Sequence, residues 1–229
     1  MSMQNRLKAR GIAMLVVFAG ILGVIFSPVF PGKINGLDYL DNLFNMVSKG
    51  SSYFIPGVMK DSDKFAGSLI DVTIKMGDEN QAVETAKLME TAGAQATVSG
   101  QELTIKGDMA NILKSSLADS DQMFANNGAP IQAKYGFPEK QVMFNWFSAF
   151  KAISNELTQQ EKFAEAKPFS SVSKKALEPA YNYYGVKAMN WKENIAMILV
   201  ALGFYVFYTV WYGFGLMYLF EGLGLKIGH

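Results

Sequence analysis

The chain has no cysteine among its 229 residues, and its single histidine is His229 at the C-terminal end. The missing cysteines exclude disulfides, thiolate metal sites, iron–sulfur clusters and cysteine nucleophiles. A zinc enzyme, a histidine-ligated haem or a Ser-His-Asp triad needs a positioned imidazole. A terminal histidine is a poor candidate for that role because chain ends are usually frayed. We therefore expect no metal and no cofactor, and no set of residues argues for an enzyme.

An excess of charge of either sign is also missing, since 21 Lys and Arg residues face 20 Asp and Glu residues. Such a balance creates no overall field for nucleic acid, so we expect no nucleic-acid partner. Carboxylates concentrate at residues 77–81, 61–63 and 119–121, but none of these runs has the ligand spacing of a calcium loop. We expect them to cap helices or to lie on the solvated surface. Asp38 and Asp41 share a helix face, which predicts the wet side of an amphipathic helix near a membrane surface.

Charge is absent altogether from residues 11–30, a run of about 20 residues that can cross a hydrocarbon core as a helix. Residues 1–10 precede it and contain Arg6, Lys8 and Arg10, which favour a cytoplasmic N-terminus. The alternative is a cleaved signal peptide. The run is longer than a typical signal core and lacks a small-x-small cleavage site, so the sequence favours an uncleaved anchor.

A second apolar run covers residues 195–220 and exceeds the minimum length of a span, so we expect a tilt or an interfacial end. Glu193 and Glu221 bracket it. Two spans return residues 221–229 to the side of the N-terminus, which places residues 31–194 outside the cytoplasm. The sequence thus predicts a protein of the inner (plasma) membrane with a periplasmic central domain.

The segment between the spans carries signals of both strand and helix. Residues 69–76 alternate and are rich in β-branched side chains, which is typical of a strand, and residues 78–93 predict a capped helix. Two short alternating runs around Gly100 and Gln101 indicate a β-hairpin, and a helix is expected to begin near Asp108. The predicted fold is a membrane protein in which two transmembrane helices flank a mainly helical α+β domain with a small antiparallel sheet. The order of elements is compatible with part of a ferredoxin-like fold whose last strand is not evident.

Small residues form a stripe along the first span. Ala13, Gly20, Gly23 and Ser27 recur at intervals of seven, three and four residues, which places them on one helical face. Such stripes allow the backbones of two membrane helices to approach closely. The stripe therefore predicts transmembrane packing, although glycine and alanine are also common in membrane helices for compositional reasons.

Aromatic residues crowd the middle of the second span, where lipid provides no hydrogen-bond partner. Tyr and Trp normally lie at the two membrane interfaces, and an unpaired hydroxyl in an apolar medium costs about 1–3 kcal/mol. The predicted partner-contact residues are Phe204, Tyr205, Tyr208, Trp211, Tyr212 and Tyr218. Tyr205 and Tyr212 share one helical face and the others share a second face, so a single helix cannot cover both. We expect further transmembrane neighbours, unless the helix is displaced along its axis and its aromatic half lies in the interface.

The leading functional hypothesis is a non-catalytic accessory subunit of a larger integral membrane complex. Its expected partners are other membrane subunits and the lipid bilayer, and a hetero-oligomer is favoured over a homo-oligomer. One alternative is a two-span sensor with an extracytoplasmic ligand-binding domain, but few residues follow the second span to form an output element. Another alternative is a membrane enzyme that acts on a lipid or quinone, which lacks an evident catalytic base.

Overall fold

The computed structural model describes residues 2–192 and 194–225, so the expectations for Glu193 and His229 fall outside the described residues. The chain divides into two compact units. We call residues 1–50 and 188–229 the terminal unit and residues 51–187 the central unit. The described part is mostly helical and contains a small antiparallel sheet of three strands, which confirms this part of the predicted fold class.

The elements follow one another with short connections. In chain order the helices are α1 (Met3–Phe26), α2 (Gly36–Ser51), α3 (Ile55–Ser62), α4 (Glu79–Thr91), α5 (Met109–Phe124), α6 (Ala129–Tyr135), α7 (Glu139–Gln159), α8 (Phe163–Val172), α9 (Glu178–Asn182) and α10 (Ile195–Gly222). The strands are β1 (Leu69–Lys75), β2 (Gln95–Ser99) and β3 (Glu102–Asp108). A π-helical turn, Ser173–Leu177, joins α8 to α9.

Helices α1 and α10 are both long and apolar enough to cross a membrane, as the sequence predicts. Helix α1 begins at Met3, ahead of the predicted span, so the three basic residues of the N-terminus lie on the helix. It ends at Phe26 because Pro28 follows, and a residue that precedes proline disfavours the helical conformation. Ser27 is accordingly extended, with φ −82° and ψ 148°. The side of the membrane on which the central unit lies stays a prediction.

The sheet of the central unit has the strand order β1-β3-β2, and β3 is antiparallel to both neighbours. Strands β1 and β2 are therefore parallel to each other and are joined by α4 in a split β-α-β arrangement. The β2–β3 hairpin turns at Gly100, whose φ of 59° is the left-handed region that glycine adopts without steric cost. The predicted order of strand, helix, strand, strand, helix is confirmed. A fourth, ferredoxin-like strand is absent from the described residues.

Alternation along β1 separates the two faces of the sheet. Ile70, Val72 and Ile74 are buried in a core shared with helices α4, α5 and α7. The opposite face is polar, with a hydrogen bond of 2.9 Å between the hydroxyls of Thr73 and Thr104. The central unit is therefore a short sheet with helices packed on one side and polar side chains on the other.

Candidate functional site

Helices α1 and α10 pair in an antiparallel manner, and their backbones meet at glycine. A Cβ atom added to Gly11 would lie 2.5 Å from the Leu219 amide nitrogen and 2.9 Å from the Gly215 carbonyl oxygen. Gly11 and Gly215 are the buried residues of their helices. Close approach at small residues is the usual way in which membrane helices pack. Because Gly11 lies outside the predicted stripe, sequence reasoning missed this contact.

The predicted stripe of small residues lies on another part of α1. An added Cβ atom at Gly20 or Gly23 meets no atom within 4 Å, and Ala13 is also exposed. Ser27 is half-buried and donates its hydroxyl to the Gly23 carbonyl at 2.6 Å. These residues leave an open face on α1, so their predicted role in packing concerns a neighbour outside the chain and stays a prediction.

Two of the aromatic polar groups on α10 find their hydrogen-bond acceptors on α1. The Tyr208 hydroxyl donates to the Phe18 carbonyl at 3.0 Å, and the Trp211 indole N–H donates to the Met14 carbonyl at 3.1 Å. A helix carbonyl can accept a second bond because it has two lone pairs. The sequence predicts that these groups need acceptors outside α10, but it does not identify the carbonyls of α1 as those acceptors.

The rings of this face also pack against α1. Phe18 stacks on Tyr208 with the ring centroids 4.2 Å apart, and Phe204 extends the stack from Tyr208 at 5.6 Å. Near the other end of α10, the Arg10 guanidinium lies 5.1 Å from the centre of the Tyr218 ring. Four of the six predicted contact residues thus lie on the face of α10 that carries the two hydrogen bonds to α1.

Tyr205 and Tyr212 lie on the second face of α10, which borders the space between α1, α2 and α10. Tyr205 is 65% exposed and Tyr212 is 42% exposed, although the Tyr212 ring touches Phe18 at a centroid distance of 4.8 Å. The neighbouring Thr209 hydroxyl bonds to its own helix through the Tyr205 and Val206 carbonyls. Among the described residues, the Tyr205 hydroxyl has no hydrogen-bond partner. It lies about 15 Å along α10 from the first residue of the helix, at 1.5 Å per residue.

A cleft of about 620 Å³ opens between α1, α2 and α10 within the terminal unit. Helix α2 forms one wall, where Leu43 is 5% exposed. The Tyr39 ring lies 5.8 Å from the Phe30 ring, and its hydroxyl reaches the Met197 sulfur at 4.0 Å. A backbone bond of 2.9 Å from Met189 to the Met46 carbonyl holds the other end of α2. These contacts make α2 a third wall that closes part of the groove between the two apolar helices.

The described residues that line this cleft carry no charge, and almost all of its wall surface is carbon. Tyr208 and Thr209 in its wall already donate their hydroxyls to backbone carbonyls. The wall also includes Tyr39, Tyr205 and Tyr212. Such a site can hold a hydrocarbon group. The sequence predicts the aromatic wall on α10 but not the contribution of α2.

The central unit contains a buried polar cluster around Asp119, a residue that the sequence predicts to cap a helix or to lie on the surface. Asp119 was expected on the surface, yet it is only 4% exposed. One carboxylate oxygen accepts from the Tyr135 hydroxyl at 2.6 Å and the Trp146 indole at 3.0 Å, and the other accepts from the Lys134 ammonium at 2.9 Å. Burial, and then the Asp119 charge and hydrogen bond, raise the pKa of Tyr135 far above its usual range. The cluster joins α5, α6 and α7, which indicates a structural role.

The acidic residues of residues 61–63 and 77–81 cap a helix or lie on the surface, as expected. Asp78 accepts from the Gln81 amide at the start of α4, and Asp61 pairs with Lys64 at 2.6 Å. Asp121 accepts from the Tyr53 hydroxyl at 2.7 Å, and this bond is the main reason that the pKa of Tyr53 is raised. Among residues 2–192 and 194–225, no three acidic or histidine side chains cluster in a way that could hold a metal ion.

The open faces of α1 and α10 and the cleft beside α2 are therefore the features that bear on function. Both are built mainly from apolar surface and backbone geometry. Comparison of the chain with known protein families, with curated proteins and with solved structures finds no match.

Proposed function

We propose that this chain is a non-catalytic subunit of a larger integral membrane complex. Helices α1 and α10 dock against other membrane subunits, and the central unit forms the extracytoplasmic part. The observation that carries this proposal is the Tyr205 hydroxyl, which lies deep along an apolar helix without a hydrogen-bond partner among the described residues. A hydroxyl in a hydrocarbon medium needs a partner because leaving it unpaired costs about 1–3 kcal/mol.

The open face of α1 supports the same proposal. Gly20 and Gly23 expose backbone that no other part of the described chain covers, and glycine backbone is the surface on which membrane helices pack most closely. Apart from the Gly11 and Gly215 contact, the apolar stretches of both helices remain largely exposed. A partner helix that covers these faces would bury the glycine backbone and supply an acceptor for Tyr205.

The docking proposal predicts that substitutions on the open faces of α1 and α10 cause loss of co-purifying subunits. Replacing Gly20 and Gly23 with leucine should exclude a partner helix sterically, whereas Gly20→Ala should retain most of the assembly because alanine is also small. Tyr205→Phe removes only the hydroxyl and should weaken association by about 0.6–2 kcal/mol. The measurement is mass spectrometry of what co-purifies with the full chain in mild detergent at rising detergent concentration.

Tyr208→Phe is the matched control for the hydroxyl, because its bond to Phe18 lies within the chain. It should leave the set of co-purifying proteins unchanged. Docking through these faces is refuted if the leucine pair and Tyr205→Phe both leave the assembly intact. A lone homodimer that the same changes disrupt would replace foreign subunits with a second copy of this chain.

The proposed topology can be tested directly because the chain contains no cysteine to give background labelling. Ser99→Cys places a thiol in the exposed β2–β3 hairpin, and Asn5→Cys places one near the start of α1. We expect a membrane-impermeant maleimide to label residue 99 in intact cells, and residue 5 only after permeabilisation, since the basic N-terminus favours the cytoplasm. The reverse pattern would invert the orientation.

A further inference from the structure

We propose that the cleft between α1, α2 and α10 holds one acyl chain of a membrane phospholipid as a retained ligand. This inference goes beyond the proposed docking role and does not depend on it. The cleft is made by residues of a single chain, so it exists whether or not other subunits bind.

The size and walls of the cleft suit a hydrocarbon chain. Its volume of about 620 Å³ falls in the range of ligand pockets, roughly 300–1,000 Å³. Two walls belong to helices that are apolar and long enough to cross a membrane, so the cleft opens into the region where acyl chains lie. The third wall, with Leu40 and Leu43 of α2, gives a chain in the cleft more contacts than a chain on an open helix face. Dispersion contacts of this kind are individually small but add up over a long chain.

Water cannot occupy this cleft favourably. A buried water needs two to four polar partners. The hydroxyls of Tyr208 and Thr209 already donate to backbone carbonyls. Tyr205 and Tyr212 also line the cleft, but only a small part of its exposed wall surface is polar. The Tyr39 hydroxyl points to the Met197 sulfur. The remaining wall is almost entirely carbon, including the stacked rings of Phe18 and Phe204.

The same wall chemistry argues for an acyl chain and against a redox-active ring. A quinone head group carries carbonyl oxygens that need hydrogen-bond donors when they are buried. Tyr205 and Tyr212 line the cleft, but almost all of the wall surface exposed inside it is carbon, which suits a hydrocarbon chain better than a polar ring. A polar head group is better accommodated outside the cleft, where Lys33 lies exposed in the loop that leads to α2. The geometry therefore assigns the cleft to the tail of a phospholipid whose head group stays at the interface.

A photo-cross-linking experiment on the full chain tests this assignment. The purified protein is reconstituted into vesicles of phosphatidylethanolamine and phosphatidylglycerol that contain a trace of phosphatidylethanolamine with a diazirine on one acyl chain. After irradiation, we expect cross-links on α2 at Leu40 or Leu43, in addition to the outward faces of α1 and α10. Leu43 is informative because it is only 5% exposed and lines the cleft. Labelling confined to the two apolar helices would overturn the proposal.

A substitution that fills the cleft provides the second part of the cross-linking experiment. Ala201→Phe adds a ring to the cleft wall and should reduce cross-linking to α2 by about tenfold or more, since overfilling a packed apolar site displaces its occupant. Gly203→Phe is the matched control. It adds a ring to the same helix in a shallow groove that is not part of the cleft, and should leave labelling of α2 unchanged.

Folding of both variants is checked by a Met14→Cys/Gly215→Cys disulfide between α1 and α10. With this disulfide formed, undiminished labelling of α2 in Ala201→Phe would overturn the proposal. Extraction of the wild-type protein should release phospholipid, and recovery of an isoprenoid quinone in its place would overturn the choice of ligand. Loss of co-purifying subunits in Gly20 variants would not affect the cross-linking or the lipid extraction. The docking proposal and the acyl-chain proposal can therefore fail separately.

Discussion

Replacing Asp119 with alanine should lower the free energy of unfolding of the central unit by about 2–6 kcal/mol, because two buried hydrogen-bond donors lose their acceptor. The carboxylate is 4% exposed and accepts from Tyr135, Trp146 and Lys134. Its removal leaves two fully buried donors without an acceptor, and each such donor carries a desolvation penalty of about 1–3 kcal/mol. Urea unfolding of the full chain in detergent, followed by circular dichroism and tryptophan emission, measures the change.

Asp121→Ala is the matched control, two residues further along the same helix. Its carboxylate accepts from Tyr53, whose side chain is 48% exposed. Solvent can replace that bond, so the expected loss is about 0.5–1.5 kcal/mol. Equal losses for the two variants would show that the Asp119 cluster does not stabilise the central unit beyond an ordinary surface hydrogen bond.

Replacing Gly11 with leucine should separate α1 from α10. Even a Cβ atom at this position would lie 2.5 Å from the Leu219 backbone nitrogen, and backbone cannot move aside as a flexible side chain can. The whole leucine side chain forces the helices apart, at a cost of at least about 1–3 kcal/mol. Gly20→Leu is the matched control on the same helix, because an added Cβ there meets no atom within 4 Å.

Disulfide formation between cysteines introduced by Met14→Cys and Gly215→Cys measures whether α1 and α10 have separated. A Cβ atom added to Gly215 lies 3.4 Å from the Met14 Cβ, close to the separation of about 3.5–4.5 Å in disulfides. The pair should cross-link readily in the otherwise unchanged chain and with Gly20→Leu, but at least about tenfold less with Gly11→Leu. Equal cross-linking in all three backgrounds would contradict the observed helix pair.

Where the relevant physics is local, the sequence was sufficient. The two apolar helices could be predicted because about 20 uncharged residues suffice to cross a membrane whatever surrounds them. Alternation predicted β1, and the capping preference of aspartate predicted the start of α4 at Asp78 and of α5 at Asp108. The prediction that β2 and β3 pair as a hairpin also required the turn at Gly100, which is another local signal.

Asp119 and Asp121 show where local reasoning fails. Both belong to the same short acidic run, and the sequence treats them alike. Two residues on an α-helix point about 200° apart at 3.6 residues per turn, so one faces the core and the other the surface, but only the packing of α6 and α7 decides which. The partners of Asp119 are 15, 16 and 27 residues away in the chain.

The terminal unit divides in the same way. By itself the sequence determined that two apolar helices exist and that small residues form a stripe on the first, because these follow from composition and helical period. That the tyrosines of the second helix need partners is a prediction from the same pattern. Only the tertiary structure decided that Gly11 forms the close contact, that Tyr208 and Trp211 use backbone carbonyls of α1, and that α2 closes a cleft. The physical reason is that the depth and rotation at which two helices meet are set by contacts distant in sequence, which neither composition nor periodicity encodes.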